Sequence, residues 1–206
     1  MSQEYKQRMI KDMCKMIKRD YPERAEHIIH QAATEYKRIC RENPNESRKV
    51  AMHTREKIYP AIAFYKAVLA ETKDQDVAYH LIADYYARYA EDTGRVIRAL
   101  AKFPGAYKLI PNIMSRIICG TFGVESGFQM TIQSREKSRC HIDMTTCPYN
   151  ENCKKYGCPE LTTAFCNSDD ISYGNMHPKL HWGRTKTLGR GNEVCDFILE
   201  FTEPVD

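Results

Sequence analysis

The stretch CPYNENCKKYGCPELTTAFCNSDD, residues 147–170, holds four of the chain's nine cysteines and ends on two adjacent carboxylates. Thiols and carboxylates at this density suit a metal cage, a disulfide frame, an activated nucleophile, or simply small buried side chains. An odd number of cysteines leaves at least one unpaired within the chain. The N-terminus lacks the continuous apolar run of a signal peptide. No segment approaches the ~18 apolar residues that a membrane span requires. A cytoplasmic protein with reduced thiols is expected on these grounds, which disfavours the disulfide frame.

Metal binding has weak support. The spacings C-x5-C, C-x4-C and C-x7-C lack the paired C-x2-C of structural zinc. A site for zinc or another divalent metal stays open, drawn from Cys147, Cys153, Cys158 and Cys166 with Cys195 or a histidine substituting. The set Cys147, Cys158, Cys166 and Cys195 is one such combination.

A second chemistry arises from pairing. If the turn GRGN joins two antiparallel strands, Arg184 lies opposite Phe197 and Lys186 opposite Cys195. Arg184 and Cys195 then share the face carrying Trp182, Phe197 and Leu199, and neighbouring cations favour the Cys195 thiolate. The same pair also reads as a small buried cysteine and an arginine reaching solvent at a sheet edge. Asp169 and Asp170 are expected just beyond a short helix. There the backbone dipole and their mutual repulsion both raise a carboxyl pKa, as proton transfer requires. Either carboxylate can instead neutralise Arg184, or both can be solvated loop acids.

These residues need a scaffold. Residues 1–119 read as helices by period and breakers, the first over about 4–19, with Pro60 and Pro111 kinking or dividing later ones. Histidines 27, 30, 53 and 80 fall on charged helices and suggest no site. Past CGTFGVESG the period changes to two. Phe128, Met130 and Ile132 alternate with polar residues, as do Cys140, Ile142 and Met144. Leu180, Trp182 and Arg184 share one parity and Cys195, Phe197, Leu199 and Phe201 another. Pro159 suits the first turn of a short helix through Phe165. The expected fold is α+β, a single domain over 1–206: a helical part over 1–119, then an antiparallel β-β-α-β-β unit packed against helices over 120–206. Hydrophobic content of 42% and a net charge of +4 are ordinary for a globular protein. Lys and Arg are scattered among acids instead of gathered in a stripe, so neither nucleic acid nor a membrane is an expected partner. A small molecule is, and self-association is left open.

Taken together, CPY, GCPELTTAFCNSDD and GRTKTLGRGNEVCDF resemble the L-2-amino-thiazoline-4-carboxylic acid hydrolase family over about the last 65 residues. The segment YPAIAFYKAVL is loosely similar. Membership implies a hydrolase that opens a cyclic isothiourea to carbamoyl-cysteine. On that premise, Arg184 with Trp182 would hold the substrate and clamp its carboxylate. Asp169 would act as general base or acid, and Cys166 or Cys195 would attack covalently or hold a metal that activates water. The order of elements also resembles 4-vinyl reductase type domains, which implies the alternative of a non-catalytic ligand- or metal-binding module.

Overall fold

The computed structural model describes residues 8–202. Six helices come first: α1 (Arg8–Asp20), α2 (Ala25–Glu42), α3 (Arg48–His53), α4 (Tyr59–Thr72), α5 (Gln75–Ala101) and α6 (Ile110–Thr121). The hairpin β1 (Gln129–Arg135) and β2 (Arg139–Thr146) follows. Next come α7 (Pro148–Lys155) and α8 (Thr162–Tyr173), then β3 (Leu180–Gly183) and β4 (Cys195–Phe201). The first four residues of the helix expected from position 4 lie outside the described residues.

The helical half is built around α4. Its residues Tyr59, Pro60, Ala61, Ile62, Ala63, Phe64 and Tyr65 are all buried, and a helix apolar on every side belongs at a core centre. Helices α2 and α5 flank it, and α5 passes on to pack along α8. Capping sets the boundaries: the Asp74 side chain accepts from Val77 N at 3.1 Å to start α5, and Ser47 accepts from Val50 N at 3.2 Å to start α3.

Between α3 and α4 the backbone widens into a π turn, Thr54–Ile58, in which Tyr59 N–H reaches back to the Thr54 carbonyl. Pro60 explains it. Proline offers no N–H to the carbonyl four residues earlier, and its ring crowds that carbonyl. Lengthening the hydrogen-bonded loop by one residue relieves both problems without ending the helix. The wider turn carries Lys57.

The strands form one antiparallel sheet in the order β1-β2-β4-β3. Pairs Cys140↔Leu199, Ile142↔Phe197 and Met144↔Cys195 place one apolar row across its middle, facing the helices. Strand β1 is an edge with two register irregularities, and its Ile132 is exposed. The α+β architecture thus matches expectation, with three local differences. Helix α7, capped at Cys147, was not expected. Helix α8 runs eight residues past Phe165, so Asp169 and Asp170 lie inside it and not beyond it. Strand β3 keeps the expected register as far as Gly183↔Ile198 and then leaves the ladder. Asp196 captures the departing chain: its carboxylate accepts from Thr185 N at 2.9 Å, Thr185 Oγ1 at 2.6 Å and Lys186 N at 2.6 Å.

Candidate functional site

Between the inner face of the sheet and helices α5, α6 and α8 lies a cavity of about 240 Å³. Its walls are largely aromatic and aliphatic: Tyr86 and Tyr89 from α5, Met114 and Ile118 from α6, Trp182 and Phe197 from the sheet. Three charged side chains reach it, Lys57, Asp169 and Arg184, and three thiols, Cys147, Cys166 and Cys195. Trp182, Arg184, Asp169, Cys166 and Cys195, singled out above for catalysis or substrate binding, therefore line one space, while Asp170 does not.

Arg184 organises the charged end. Its side chain is only 2% exposed. One amino group of the guanidinium, Nη2, donates to Asp170 Oδ2 at 2.6 Å and to the Cys166 carbonyl at 2.6 Å, while Nη1 donates to Asp169 Oδ2 at 3.2 Å. The guanidinium carbon sits 5.5 Å from the Phe197 ring centre. Asp170 also accepts from Trp182 Nε1 at 3.1 Å, and the indole is tilted against Tyr173 and Phe197. Burial alone would push the Arg184 pKa down, but Asp169 and Asp170 outweigh it and hold the group above its ordinary value. Of the two sequence readings, neutralisation by the aspartates describes this geometry. Nη1 and Nη2 of Arg184 are turned towards α8.

Asp169 differs from its neighbour. Its side chain keeps 39% of its surface open, and that surface is cavity wall. Desolvation pushes its carboxyl up to about 6, with Arg184 pulling down and Asp170 pushing up. The position near a helix C-terminus, argued from sequence, is secondary to this burial. A carboxyl of that strength exchanges protons readily near neutral pH.

The thiols do not follow expectation. Cys195 Sγ accepts from Leu188 N at 3.2 Å, and Arg184 favours its thiolate, yet desolvation dominates and its pKa is raised. Burial likewise pushes Cys166 up to about 11 and Cys147 up to about 12. Of the two readings of Cys195, the small buried cysteine describes this geometry, because an apolar cavity penalises a sulfur anion more than Arg184 rewards it. Cys158 lies elsewhere, fully buried beside Cys153 in the helical core, where it hydrogen-bonds to the Cys153 sulfur. Among the described residues no three His, Cys, Asp or Glu side chains are grouped to hold a metal ion. The donor set Cys147, Cys158, Cys166 and Cys195 does not fit zinc or another divalent metal in this arrangement.

Two parts of the site escaped the sequence reading. The ammonium of Lys57 makes no hydrogen bond or ion pair with any described residue and feels Glu56 and Asp169 through space, while burial lowers its pKa. His53, grouped above with solvated helix histidines, is fully buried. Its Nε2 lies 3.0 Å from the Thr121 carbonyl, which fixes the hydrogen there and leaves Nδ1 to accept from Tyr149 Oη at 3.3 Å. Burial lowers its pKa, so it stays neutral and braces a tyrosine of the cavity wall. A warning of both was present in HTREKIYP, where a proline follows a helical run that contains a histidine and a lysine.

Gly189 lies close against α8. A Cβ there would stand 2.8 Å from Thr162 Cγ2 and 3.1 Å from Cys166 Sγ. Among the described residues no helix is long and apolar enough to cross a membrane.

The sequence model of one family, described as L-2-amino-thiazoline-4-carboxylic acid hydrolase, matches residues 51–199, more than two thirds of the chain. The matched span begins just before the π turn and ends in β4, so it contains every residue of the cavity wall. No curated protein matches the chain.

Proposed function

Because the chain belongs to the L-2-amino-thiazoline-4-carboxylic acid hydrolase family, we propose that its cavity binds a small cyclic isothiourea carboxylate and opens the ring with water. The single observation that carries this reading is Asp169, a cavity-wall carboxyl pushed up to about 6 and held by Arg184. A cavity-facing carboxyl of that proton affinity supports the role of general base near neutral pH.

The chemistry is simple to balance. The ring carbon between sulfur and nitrogen is electrophilic, as an amidine carbon is. Asp169 takes one proton from water while the water oxygen bonds to that carbon, giving a tetrahedral adduct. The carbon–sulfur bond then breaks, sulfur accepts the proton held by Asp169, and the adduct's hydroxyl releases its proton to solvent as it becomes a carbonyl, which carries off the charge that the protonated amidine brought in. One water is consumed and N-carbamoyl-cysteine leaves. Arg184 and Trp182 act as positioning residues, keeping Asp169 and Asp170 in place. Cys166 and Cys195 are neutral wall residues here, since a thiolate attack would start from groups whose pKa burial has raised.

Purified protein incubated with L-2-amino-thiazoline-4-carboxylate should form N-carbamoyl-cysteine, followed by liquid chromatography and mass spectrometry. Absence of product from wild-type protein over long incubation would reject the hydrolase reading. The neutral thiols and apolar walls support a second reading, a binding module without turnover. Tight retention of the unchanged ring compound would favour it.

A further inference from the structure

Among the charged groups of the cavity, Lys57 alone has no partner of its own. Arg184 is matched by two carboxylates and a carbonyl, and Asp169 is matched by Arg184. The Lys57 ammonium has neither a hydrogen bond nor an ion pair among the described residues, although it lines the same space. Its backbone is not free to drift: the Lys57 carbonyl accepts from Tyr86 Oη at 3.2 Å, and the residue sits within the π turn that Pro60 imposes. A partly buried cation that feels Glu56 and Asp169 only through space, with no direct ion pair, is costly unless something supplies one.

We propose that Lys57 is the anion anchor of the cavity, receiving the carboxylate of a small zwitterionic ligand whose cationic amidine end faces Asp169. The assignment rests on reading the cavity as the substrate site. The wall offers one unpaired positive group and one carboxylate that sense each other's charge. A ligand carrying a carboxylate and an amidinium on one five-membered ring answers both. Its carboxylate restores the environment that burial takes from the ammonium. Its amidinium favours the ionised form of Asp169, the form that accepts a proton from water. An ammonium on a flexible stem also tolerates a range of small acids, so Lys57 sets the need for a carboxylate and the surrounding aromatics set the ring size.

The test separates this from turnover by using rings that lack the amidine carbon attacked in the proposed reaction. Binding of thiazolidine-4-carboxylate and of thiazolidine-4-carboxamide is measured by titration calorimetry on wild type, Lys57→Met and Lys57→Arg. Wild type should prefer the carboxylate by about tenfold or more, the scale of a charge-assisted hydrogen bond. Lys57→Met should bring the two ligands within about twofold while its melting temperature stays at or above that of wild type, since a buried charge is removed. Lys57→Arg should keep the preference. An unchanged preference in Lys57→Met, or no preference in wild type, overturns the assignment. Carboxylate preference without ring opening of the 2-amino-thiazoline substrate overturns the hydrolase reading and leaves the anchor standing. Ring opening by wild type, with a preference that Lys57→Met does not alter, overturns the anchor alone.

Discussion

Arg184 donates from Nη2 to Asp170 Oδ2 at 2.6 Å, fastening the exit of β3 to the last turns of α8. The strand cannot continue past Gly183 without taking Arg184 away from the helix, and the Asp196 carboxylate holds the departing chain at Thr185 and Lys186. Sheet and helix are therefore coupled at the charged end of the cavity by one guanidinium with two carboxylate contacts. Replacing Arg184 by Met leaves two adjacent acids facing each other. Both acids keep about 40% of their surface open, so the loss falls below that of a fully enclosed pair, at about 1–3 kcal/mol. Denaturant unfolding should show it. Arg184→Lys should recover only part, because a single ammonium cannot span both carboxylates and the Cys166 carbonyl.

The pH dependence of ring opening follows from Asp169. As a base it must be ionised, so the rate should rise through pH about 6 and level above it. Arg184 lowers this pKa, so the rising limb should move to higher pH in Arg184→Met. In Asp169→Asn the limb should vanish, with kcat reduced by about 10²–10⁴. Stability carries the opposite sign. Between about 4 and about 6 the folded protein binds this proton and the unfolded chain does not, so this group's contribution to stability falls as pH rises through that window. Urea midpoints of wild type should therefore lose more over that window than those of Asp169→Asn.

Gly189 is demanded by closeness, not by backbone angle. An alanine Cβ would meet Thr162 Cγ2 at 2.8 Å and Cys166 Sγ at 3.1 Å, with the turn and α8 both fixed. Gly189→Ala should destabilise by about 1–3 kcal/mol, the usual scale of overpacking. Adding Thr162→Ser removes the nearer methyl and should return part of that loss. A double-mutant cycle by chemical denaturation measures the coupling, which should clearly exceed the few tenths of a kcal/mol expected of independent sites.

Much of this arrangement was legible in the residues. The change from helical period to alternation past Cys119 announced the sheet, and shared parity brought Trp182, Arg184, Phe197 and Cys195 to one face before any contact was known. Helix α7 was not legible, because Asn, Glu and Lys between two cysteines read as turn chemistry while the helix is made by Cys147 entering it and Pro148 in its first turn. Lys57 was hidden for a different reason. A lysine among charged neighbours on a helix reads as solvated, and only the π turn before Pro60 aims it into the cavity. The protonation of the thiols was illegible as well. Pairing identified the arginine beside Cys195, but desolvation depends on how completely the surrounding helices close, which no spacing reveals.

That protonation gives the sharpest division between water and thiol as nucleophile. With Cys166 pushed up to about 11 and Cys147 up to about 12, the thiolate fraction at pH 7.5 is about a thousandth or less. Alkylation by iodoacetamide, mapped by mass spectrometry, should be slower at both positions than in a free cysteine peptide, and should accelerate as pH is raised towards 10. If water attacks the ring, Cys166→Ala should keep ring opening within about tenfold, since only the cavity wall changes. Cys195→Ala should do the same, at the further cost of the sulfur that accepts from Leu188 N. A nucleophilic thiol would lose several orders of magnitude in the same experiment, so the rates of the two alanine variants against Asp169→Asn decide between the routes.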